Sequence, residues 1–145
     1  MRALTLKKTS DDQDELIGKI AFNFEETEIN GLEDMQKIVG GYIETWDYIS
    51  ELYDNGISLY CNDEGKLQGL DPALVVTNNG KTVEMICGNI LFCGYDSEGE
   101  TVPLTEKQVK IIKSIFTRSM YVQNSNIGLN AIVGYTIDIG KRGKK

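Results

Sequence analysis

The sequence predicts an α+β fold, in which two main helices pack on an antiparallel or mixed β-sheet. Two segments, at about 31–40 and 106–119, repeat apolar residues at helical spacing. The stretches between and around them are short, and they alternate apolar with polar residues or are rich in β-branched ones. Turn signals such as Asn79-Gly80 separate these stretches. Short strands followed and preceded by helices are typical of a sheet covered by helices.

The length and composition predict one globular domain. The chain has 145 residues, of which 41% are apolar and 26% are charged, and this balance is ordinary for a globular protein. No linker, internal repeat or low-complexity segment divides it, so we expect one domain over residues 1–140 and a disordered basic tail over 141–145. Because no apolar run approaches the roughly 20 residues that cross a bilayer, and the N-terminal stretch lacks the apolar core of a signal peptide, we expect a cytoplasmic protein.

The first half of the chain predicts strands on either side of a helix. "RALTLK" alternates and "LIGKIAFNF" is mostly apolar, so both are predicted strands. The helix at 31–40 would begin with a capping box of Asn30 and Glu33 and end at Gly40-Gly41. "YIETW" and "ISLYC" are the next strands, with one helical turn between them. The face of the helix that we expect to be buried carries Leu32, Met35, Ile38 and Val39.

The second half predicts a hairpin, an apolar strand, a second helix and a closing strand. "ALVVT" and "TVEMIC" would pair through the Asn78-Asn79-Gly80 turn, and "NILFCGY" follows. Thr105, with Gln108 three residues on, starts the helix that we place at 106–119. "GLNAIVGYTIDIG" is the closing strand. The predicted buried stripe of the second helix consists of Val109, Ile112, Ile115, Phe116 and Met120.

The residue types disfavour catalysis. The chain has no histidine, which removes the commonest general base and metal ligand. The cysteines Cys61, Cys87 and Cys93 lack the paired spacing of a zinc site and are predicted to be reduced and buried. We therefore expect no enzyme, no metal and no cofactor. A carboxylate- or cysteine-dependent enzyme that uses Cys61, Asp63 or Glu64 is kept as a third hypothesis.

The stretch "CNDEGKLQGLDP", residues 61–72, concentrates polar groups around two glycines. Its carboxylates are not spaced at alternate positions as in a calcium loop, and it lacks the first glycine and the hydroxyl residue of a phosphate-binding loop. The pattern favours a type I turn, with Asn62 at the first position and Gly65 as the left-handed residue. Such a turn commonly joins two antiparallel strands, so a hairpin is predicted here.

Charge is distributed unevenly along the chain. The net charge is −7, but residues 11–64 carry fifteen Asp or Glu against two Lys, and residues 105–145 have a net charge of +6. Aromatic residues accompany the acids after Tyr42, and exposed aromatics often anchor interfaces. For Trp46, core packing is the more frequent role. The candidate partner-binding residues are Glu44, Trp46, Asp47, Tyr48, Glu51, Tyr53 and Asp54.

Three stretches of the chain carry a resemblance to a known family. "MQKIVGGYIETW", "LYCNDEGKLQGLDPA" and "ICGNILFCG" with the following "GETVPLTEKQV" resemble the domain-of-unknown-function 3846 family over roughly residues 30–110. The family has no established activity, so the resemblance implies no catalytic residue. It implies a setting in phages and mobile elements, among small proteins suspected of countering host defences.

The resemblance and the acidic segment together lead to a first hypothesis. We expect a phage- or mobile-element-encoded protein that acts in the host cytoplasm and inhibits a defence protein by stoichiometric binding. The target could be a CRISPR nuclease, with the acidic surface acting as a nucleic-acid mimic and with no direct contact to nucleic acid or membrane. The alternative is a protein that sequesters a nucleotide signal, with the phosphate bound by Lys107, Lys110, Lys113 or Arg118.

Overall fold

The computed structural model describes residues 1–10, 18–125 and 128–140. The predicted tail at 141–145 lies outside these residues, as does most of the polar stretch after the first strand. The described elements are β1 (Arg2–Ser10), β2 (Gly18–Glu28), α1 (Leu32–Val39), β3 (Ile43–Thr45), α2 (Ser50–Tyr53), β4 (Ile57–Asn62), β5 (Pro72–Asn78), β6 (Lys81–Cys87), β7 (Ile90–Tyr95), β8 (Thr101–Val102), α3 (Glu106–Ile115), β9 (Thr117–Ser125) and β10 (Gly128–Asp138).

The strands form one mixed sheet in the order β3-β4-β7-β1-β2-β10-β5-β6, with β8 beside β7 and β9 beside β10. Strand β10 is parallel to both β2 and β5. The other pairs are antiparallel, including β1 with β2 and β5 with β6. The predicted α+β class and mixed sheet are therefore confirmed in broad terms. The described residues form three short helices, and two main helices packed on the sheet are not confirmed.

Strand β10 joins the two parts of the sheet. It pairs with β9 over 128–136, with β2 over 130–133 and with β5 over 135–138. Because one side of β10 is taken by β9, β2 and β5 share its other side in succession. Gly134 lies between the two pairings, where an added Cβ would clash with the Tyr121 hydroxyl and approach the Ala73 carbonyl oxygen to 2.7 Å.

Apolar side chains fill a core on each face of the sheet. The main core contains Leu4, Leu6 and Phe92 and is covered by apolar residues of α2 and α3. The second core contains Ala3 and is covered by α1. Successive residues of a strand point to opposite faces, which explains why Ala3 and Leu4 enter different cores. The alternation predicted for "RALTLK" is confirmed. The buried residues of the second core are Ala3, Ile29, Met35, Val39, Leu91 and Cys93.

The start of the first helix differs from the prediction. Residue Gly31 is the N-cap of α1, without a side-chain cap, so the Asn30 capping box is wrong. The Asp34 carboxylate, in the first turn of the helix, instead accepts a hydrogen bond from the Asn30 backbone N–H at 2.7 Å. This bond gives the N–H group of Asn30, just before the helix, an acceptor. Leu32, the first residue of α1, is 58% exposed rather than buried. The end at Gly40 is confirmed, with φ 82°.

The second helix is shorter than the predicted range 106–119. Its capping box of Thr105 and Gln108 is confirmed, but α3 ends at Ile115 and Phe116 is extended. The following residues form β9, which pairs along β10. Met120 is 67% exposed, so its placement in the buried stripe is wrong. The β-branched and aromatic residues Thr117, Tyr121 and Val122 suit a strand, and the pairing with β10 outweighs the helical spacing.

The stretch at 61–72 is not a hairpin. Strand β4 pairs with β3 and β7, and β5 pairs with β6 and β10, so the loop crosses between two parts of the sheet. The turn at Asn62 is confirmed, since its carbonyl accepts the Gly65 N–H at 3.2 Å. The left-handed residue is Gly69, with φ 71°, and not Gly65. The distant pairing of the strands, which no local pattern encodes, explains the wrong hairpin.

The turn after β5 agrees with the prediction. Asn79 and Gly80 both have positive φ, at 53° and 85°, and β5 and β6 pair across them. Positive φ at both central residues is the geometry of a type I′ turn, which suits the twist of a two-residue hairpin.

Candidate functional site: two depressions beside an edge strand

Strand β3 lies at one edge of the sheet. It pairs with β4 on one side, and within the described residues no strand pairs with its other side. Glu44 is opposite Cys61 and Thr45 is opposite Tyr60. Since successive side chains point to opposite faces, Glu44 and Thr45 belong to different faces of the sheet. Each face carries a depression next to β3.

The first depression, here called the acidic cleft, has a volume of about 330 Å³ and lies on the side of the main core. Four carboxylates line it, and its one cation, Lys66, makes an ion pair with Glu84. The negative charge therefore exceeds the positive charge in the cleft. The lining residues are Glu44, Trp46, Cys61, Asn62, Asp63, Glu64, Gly65, Lys66, Leu67, Glu84, Met85, Ile86 and Cys87.

The two cysteines of the acidic cleft are not activated. Burial, and secondarily the neighbouring Glu44 carboxylate, raises the pKa of the Cys61 thiol to about 12. Burial also raises the pKa of Cys87, although the nearby Lys66 acts in the opposite direction. A nucleophilic cysteine needs a lowered pKa, and neither thiol has one. Cys61, Cys87 and Cys93 are free and buried, as the sequence predicts.

Asn62 has a structural role at the base of the acidic cleft. Its side-chain Nδ2 donates to the Val39 carbonyl at 3.2 Å and to the Gln68 side-chain oxygen at 3.0 Å. Its Oδ1 accepts the Glu64 N–H at 2.8 Å. A Cβ on Gly41 would lie 2.9 Å from the Asn62 side chain. The stretches "IVGGYIE" and "CNDEGKLQGL" are therefore in direct contact. The lack of a side chain at Gly41 leaves room for Asn62, and the Asn62 amide makes the hydrogen bonds that join the two stretches.

The second depression, here called the tyrosine pocket, has a volume of about 440 Å³ and lies on the opposite face. It contains three tyrosines and one carboxylate, and none of its lining residues is a cation. The Tyr95 hydroxyl donates to the Tyr53 carbonyl. Tyr60 shares a 3.4 Å hydrogen bond with Thr101. The lining residues are Thr45, Asp47, Tyr53, Ser58, Tyr60, Tyr95 and Gly99.

The tyrosine pocket lies where α1 no longer covers the sheet. Tyr60 is half-buried and packs against the second core beneath α1. Ser58 lies two residues before Tyr60 on β4 and therefore shares its face. Tyr95 lies two residues after Cys93 of β7, which is buried in the same core. Tyr53, at the end of α2, completes the rim. The sheet face thus continues past the helix as an open aromatic surface.

The structure distributes the predicted partner-binding residues over both faces of β3. Glu44 and Trp46 line the acidic cleft, and the Tyr48 ring lies 5.0 Å from the Trp46 ring. Trp46 is half-buried and packs against the main core, whereas Tyr48 is 69% exposed. Asp47 and Tyr53 line the tyrosine pocket.

The remaining two predicted residues belong to α2. Glu51 lies in its first turn, and Asp54 is its C-cap and is exposed. They place two more carboxylates close to the chain that leaves β3.

The predicted phosphate-contacting residues lie on two elements. Lys107, Lys110 and Lys113 are exposed on α3. Arg118 lies on β9, where its Nη1 donates to the Phe22 carbonyl at 3.1 Å and to the Tyr135 hydroxyl at 3.0 Å. The guanidinium also lies over the Tyr135 ring, 5.4 Å from its centroid. Arg118 is therefore engaged with β2 and β10.

Sequence reasoning did not identify Tyr60 and Tyr95 as site residues. Both lie in apolar stretches, "ISLYC" and "NILFCGY", whose composition predicts buried strands. Alternation along each strand could have placed them on the face opposite to Leu59 and Gly94. The register of β4 and β7, with Ser58 opposite Cys93, is what brings them together, and it is a tertiary property.

Two further features concern the described ranges 1–10, 18–125 and 128–140. No group of three or more His, Cys, Asp or Glu side chains there is arranged to bind a metal ion. None of the described helices combines the length and the apolar character needed to cross a membrane.

Comparison with known families gives a match over most of the chain. The model of the family described as Domain of unknown function (DUF3846) matches residues 16–117. The match begins just before β2 and ends at the first residue of β9, so it includes β3, the acidic cleft and the tyrosine pocket. Comparison with the curated proteins and with the solved structures gave no match. Because the family match spans more than half of the chain, the protein belongs to the DUF3846 family.

Proposed function

We propose that this protein is a phage- or mobile-element-encoded inhibitor that binds a host defence protein stoichiometrically and without catalysis. The binding surface would be the β3 surface, defined as the exposed residues Glu44, Asp47, Tyr48, Tyr53 and Asp54. The observation that supports this proposal most directly is the placement of exposed carboxylates and tyrosines around an edge strand.

The charge around β3 favours a basic partner. Residues 38–65 contain six Asp or Glu and no Lys or Arg. Charges of one sign concentrated on a surface raise the association rate with an oppositely charged partner. The nucleic-acid-binding groove of a defence nuclease, such as a CRISPR nuclease, is a basic surface of this kind. Carboxylates can occupy it in place of phosphates, which is the basis of nucleic-acid mimicry.

The aromatic residues would supply the rest of the binding energy. Tyr48 is 69% exposed and Tyr53 is 43% exposed, and large exposed aromatics are enriched among residues that dominate binding energy. In this proposal the carboxylates set the orientation and the association rate, while the tyrosines lower the dissociation rate.

The decisive experiment is affinity capture of a defence nuclease from host cells, followed by binding and DNA-cleavage assays with the purified nuclease. We expect Asp47→Lys/Asp54→Lys to lose inhibition, because two exposed carboxylates of the β3 surface are reversed. Glu25→Lys/Glu33→Lys is the matched control, since both residues are exposed acids outside that surface. If no defence nuclease is captured and phage plating on defended hosts is unchanged, the proposal is wrong.

A salt series separates charge mimicry from apolar docking. Screening shortens the reach of charge to about 8 Å at physiological ionic strength and further at higher salt. We expect the affinity of the inhibitor for the nuclease to fall steeply with salt and the double-lysine variant to show a shallower slope. Equal slopes for the two proteins would contradict a charge-mimic contact.

Sequestration of a nucleotide signal is the competing proposal. It would use Lys107, Lys110 and Lys113, which are exposed along α3. Calorimetry with cyclic nucleotides tests it: heat that disappears in Lys107→Glu/Lys110→Glu would favour this function. No heat with any cyclic nucleotide would remove it.

A further inference from the structure

We propose that the tyrosine pocket is a binding site for a guanidinium group. The inference that this group is an arginine side chain of the bound partner rests on the proposed function, whereas the chemistry of the pocket stands on its own residues. Three tyrosines, one carboxylate and several neutral oxygens line a depression of about 440 Å³. This volume lies within the range of about 300–1,000 Å³ that is usual for small-ligand sites.

The aromatic residues come from three different elements and meet at one place. Tyr60 lies on β4, Tyr95 on β7 and Tyr53 on α2. The hydrogen bond from the Tyr95 hydroxyl to the Tyr53 carbonyl ties β7 to α2 across the pocket. Aromatic rings attract cations through the negative charge on their faces, and a site with several rings is the common arrangement for binding an organic cation.

The charge of the pocket also selects a cation. Asp47 is exposed and, within the described residues, makes no ion pair. No Lys or Arg occurs anywhere in residues 38–65, which supply five of the seven lining residues. An anionic ligand would meet an unopposed carboxylate here, so a phosphate is disfavoured. A cation would gain from both the carboxylate and the rings.

Among cations, the pocket fits a guanidinium better than an ammonium. A guanidinium is planar and weakly hydrated, stacks on aromatic rings and can donate two parallel hydrogen bonds to one carboxylate. Asp47 offers such a carboxylate, and the hydroxyls of Thr45 and Ser58 offer further acceptors in the lining. A lysine ammonium is compact and strongly hydrated, so it gains less from an open site.

The first test is an NMR titration of the full chain with N-acetyl-arginine amide. The control ligand is N-acetyl-citrulline amide, which has nearly the same shape but no charge. We expect the arginine compound to cause saturable shifts of the Tyr53, Tyr60 and Tyr95 ring resonances and the citrulline compound to cause none. Equal shifts with both compounds, or no shifts with either, would overturn the assignment.

Variants locate the interaction. Tyr53→Leu keeps an apolar side chain but removes one ring, and we expect roughly a two- to fivefold loss of affinity for the arginine compound. Asp47→Asn should weaken binding and flatten its dependence on salt. Tyr48→Leu is the matched control, because this exposed tyrosine packs beside Trp46 and does not line the pocket. If Tyr48→Leu weakens binding as much as Tyr53→Leu does, the site is not the tyrosine pocket.

Thermal unfolding of each variant verifies that it is folded. If Tyr53→Leu does not fold, Asp47→Asn alone tests the site.

Two outcomes separate this inference from the proposed function. If a captured nuclease is inhibited while the arginine compound shifts no tyrosine, the pocket assignment fails and the proposed function survives. If no nuclease binds while the titration still saturates, the pocket assignment survives and its ligand is a free organic cation. A last experiment substitutes exposed arginines on a captured nuclease. If one such substitution weakens the complex as much as Tyr53→Leu does, the occupant of the pocket is an arginine side chain.

Discussion

Asp138, at the end of β10, closes the turn between β5 and β6. Its carboxylate accepts hydrogen bonds from the backbone N–H groups of Asn79, Gly80 and Gly140 and from the Thr77 hydroxyl, at 2.8–3.1 Å. Hydrogen bonds to a carboxylate favour its charged form. Those from Gly80 and Thr77 contribute most, and together they lower the pKa of Asp138 well below its ordinary value.

The lowered pKa of Asp138 predicts a pH-dependent stability. A carboxyl whose pKa is lower in the folded state stabilises the fold above its unfolded pKa, about 3.9, and this contribution is lost as the pH falls below that value. We expect Asp138→Asn to be less stable than the wild type at pH 7, and the difference to shrink at pH 3. Urea unfolding at both pH values measures it.

The control for Asp138 is Asp54→Asn. Its carboxylate accepts no hydrogen bond within the described part of the chain, so it should behave like the wild type at both pH values. A difference between wild type and Asp138→Asn that does not change with pH would show that the Asp138 bonds do not depend on its charge.

Cysteine burial predicts slow labelling of the native protein. The pKa values of Cys61 and Cys93 are raised to about 12, which reduces the thiolate fraction at pH 8 roughly a thousandfold relative to an ordinary thiol. We expect alkylation of all three cysteines to be slow in the folded protein and fast in urea. One cysteine that reacts quickly in the folded state would revive the hypothesis of a cysteine-dependent enzyme.

At the scale of elements, one residue of α3, Gln108, takes part both in the local cap of the helix and in a tertiary contact. Thr105 and Gln108 form a reciprocal capping box, which the sequence spacing alone predicts. The Gln108 side chain also donates to the carbonyls of Asn55, at 2.8 Å, and Gly56, at 3.3 Å. Gln108 therefore connects the start of α3 to the turn after α2.

The two roles of Gln108 predict unequal costs for its substitution. Thr105→Ala should lower the free energy of unfolding by about 1 kcal/mol, the usual cost of losing an N-cap. Gln108→Ala should cost about 1 kcal/mol more, because the bonds to Asn55 and Gly56 are lost as well. Urea unfolding measures both variants. Lys110→Ala, on the exposed face of α3, serves as the control with an expected change of less than about 0.5 kcal/mol. Equal costs for Thr105→Ala and Gln108→Ala would argue against the second role.

The elements also show where sequence prediction fails. The capping box of α3, the Asn79-Gly80 turn and the end of α1 at Gly40 are set by residues adjacent in the chain, and all three are confirmed. The sequence predicts a helix over part of β9, because Phe116 and Met120 continue the helical spacing. Its extended form comes from antiparallel pairing with β10, the next strand along the chain, from Ser125 opposite Gly128 to Thr117 opposite Thr136.

At the scale of the whole molecule, the fold extends beyond the family match. The match spans residues 16–117, yet β1 supplies Leu4 and Leu6 to the main core and β10 supplies Ile132 and Ile137. Strand β10 is also the only described link between β2 and β5 within the sheet. The segment that matches the family model is therefore completed by strands on both sides of it.

This arrangement predicts that a chain lacking β9 and β10 does not fold. A fragment of residues 1–116 loses the buried Ile132 and Ile137, and even truncating such a side chain to alanine costs about 2–5 kcal/mol. Two such losses are comparable to the whole stability of a small domain, about 5–15 kcal/mol. We expect no cooperative thermal transition by circular dichroism. A fragment of residues 1–140, which keeps every described strand, is the control, and a cooperative transition in the shorter fragment would contradict the prediction.

By itself, the sequence determined the class of fold, most strands, the tight turns, the buried cysteines and the acidic character of residues 38–65. These depend on composition and on neighbours a few residues apart. The tertiary structure alone decided that residues 61–72 cross between two parts of the sheet, and that Glu44 and Asp47 face different depressions. It also brought Tyr53, Tyr60 and Tyr95 into one pocket. Strand order and register arise largely from pairings between residues that are distant in the sequence. The stability of these pairings depends on packing throughout the core, so short sequence patterns do not reveal them.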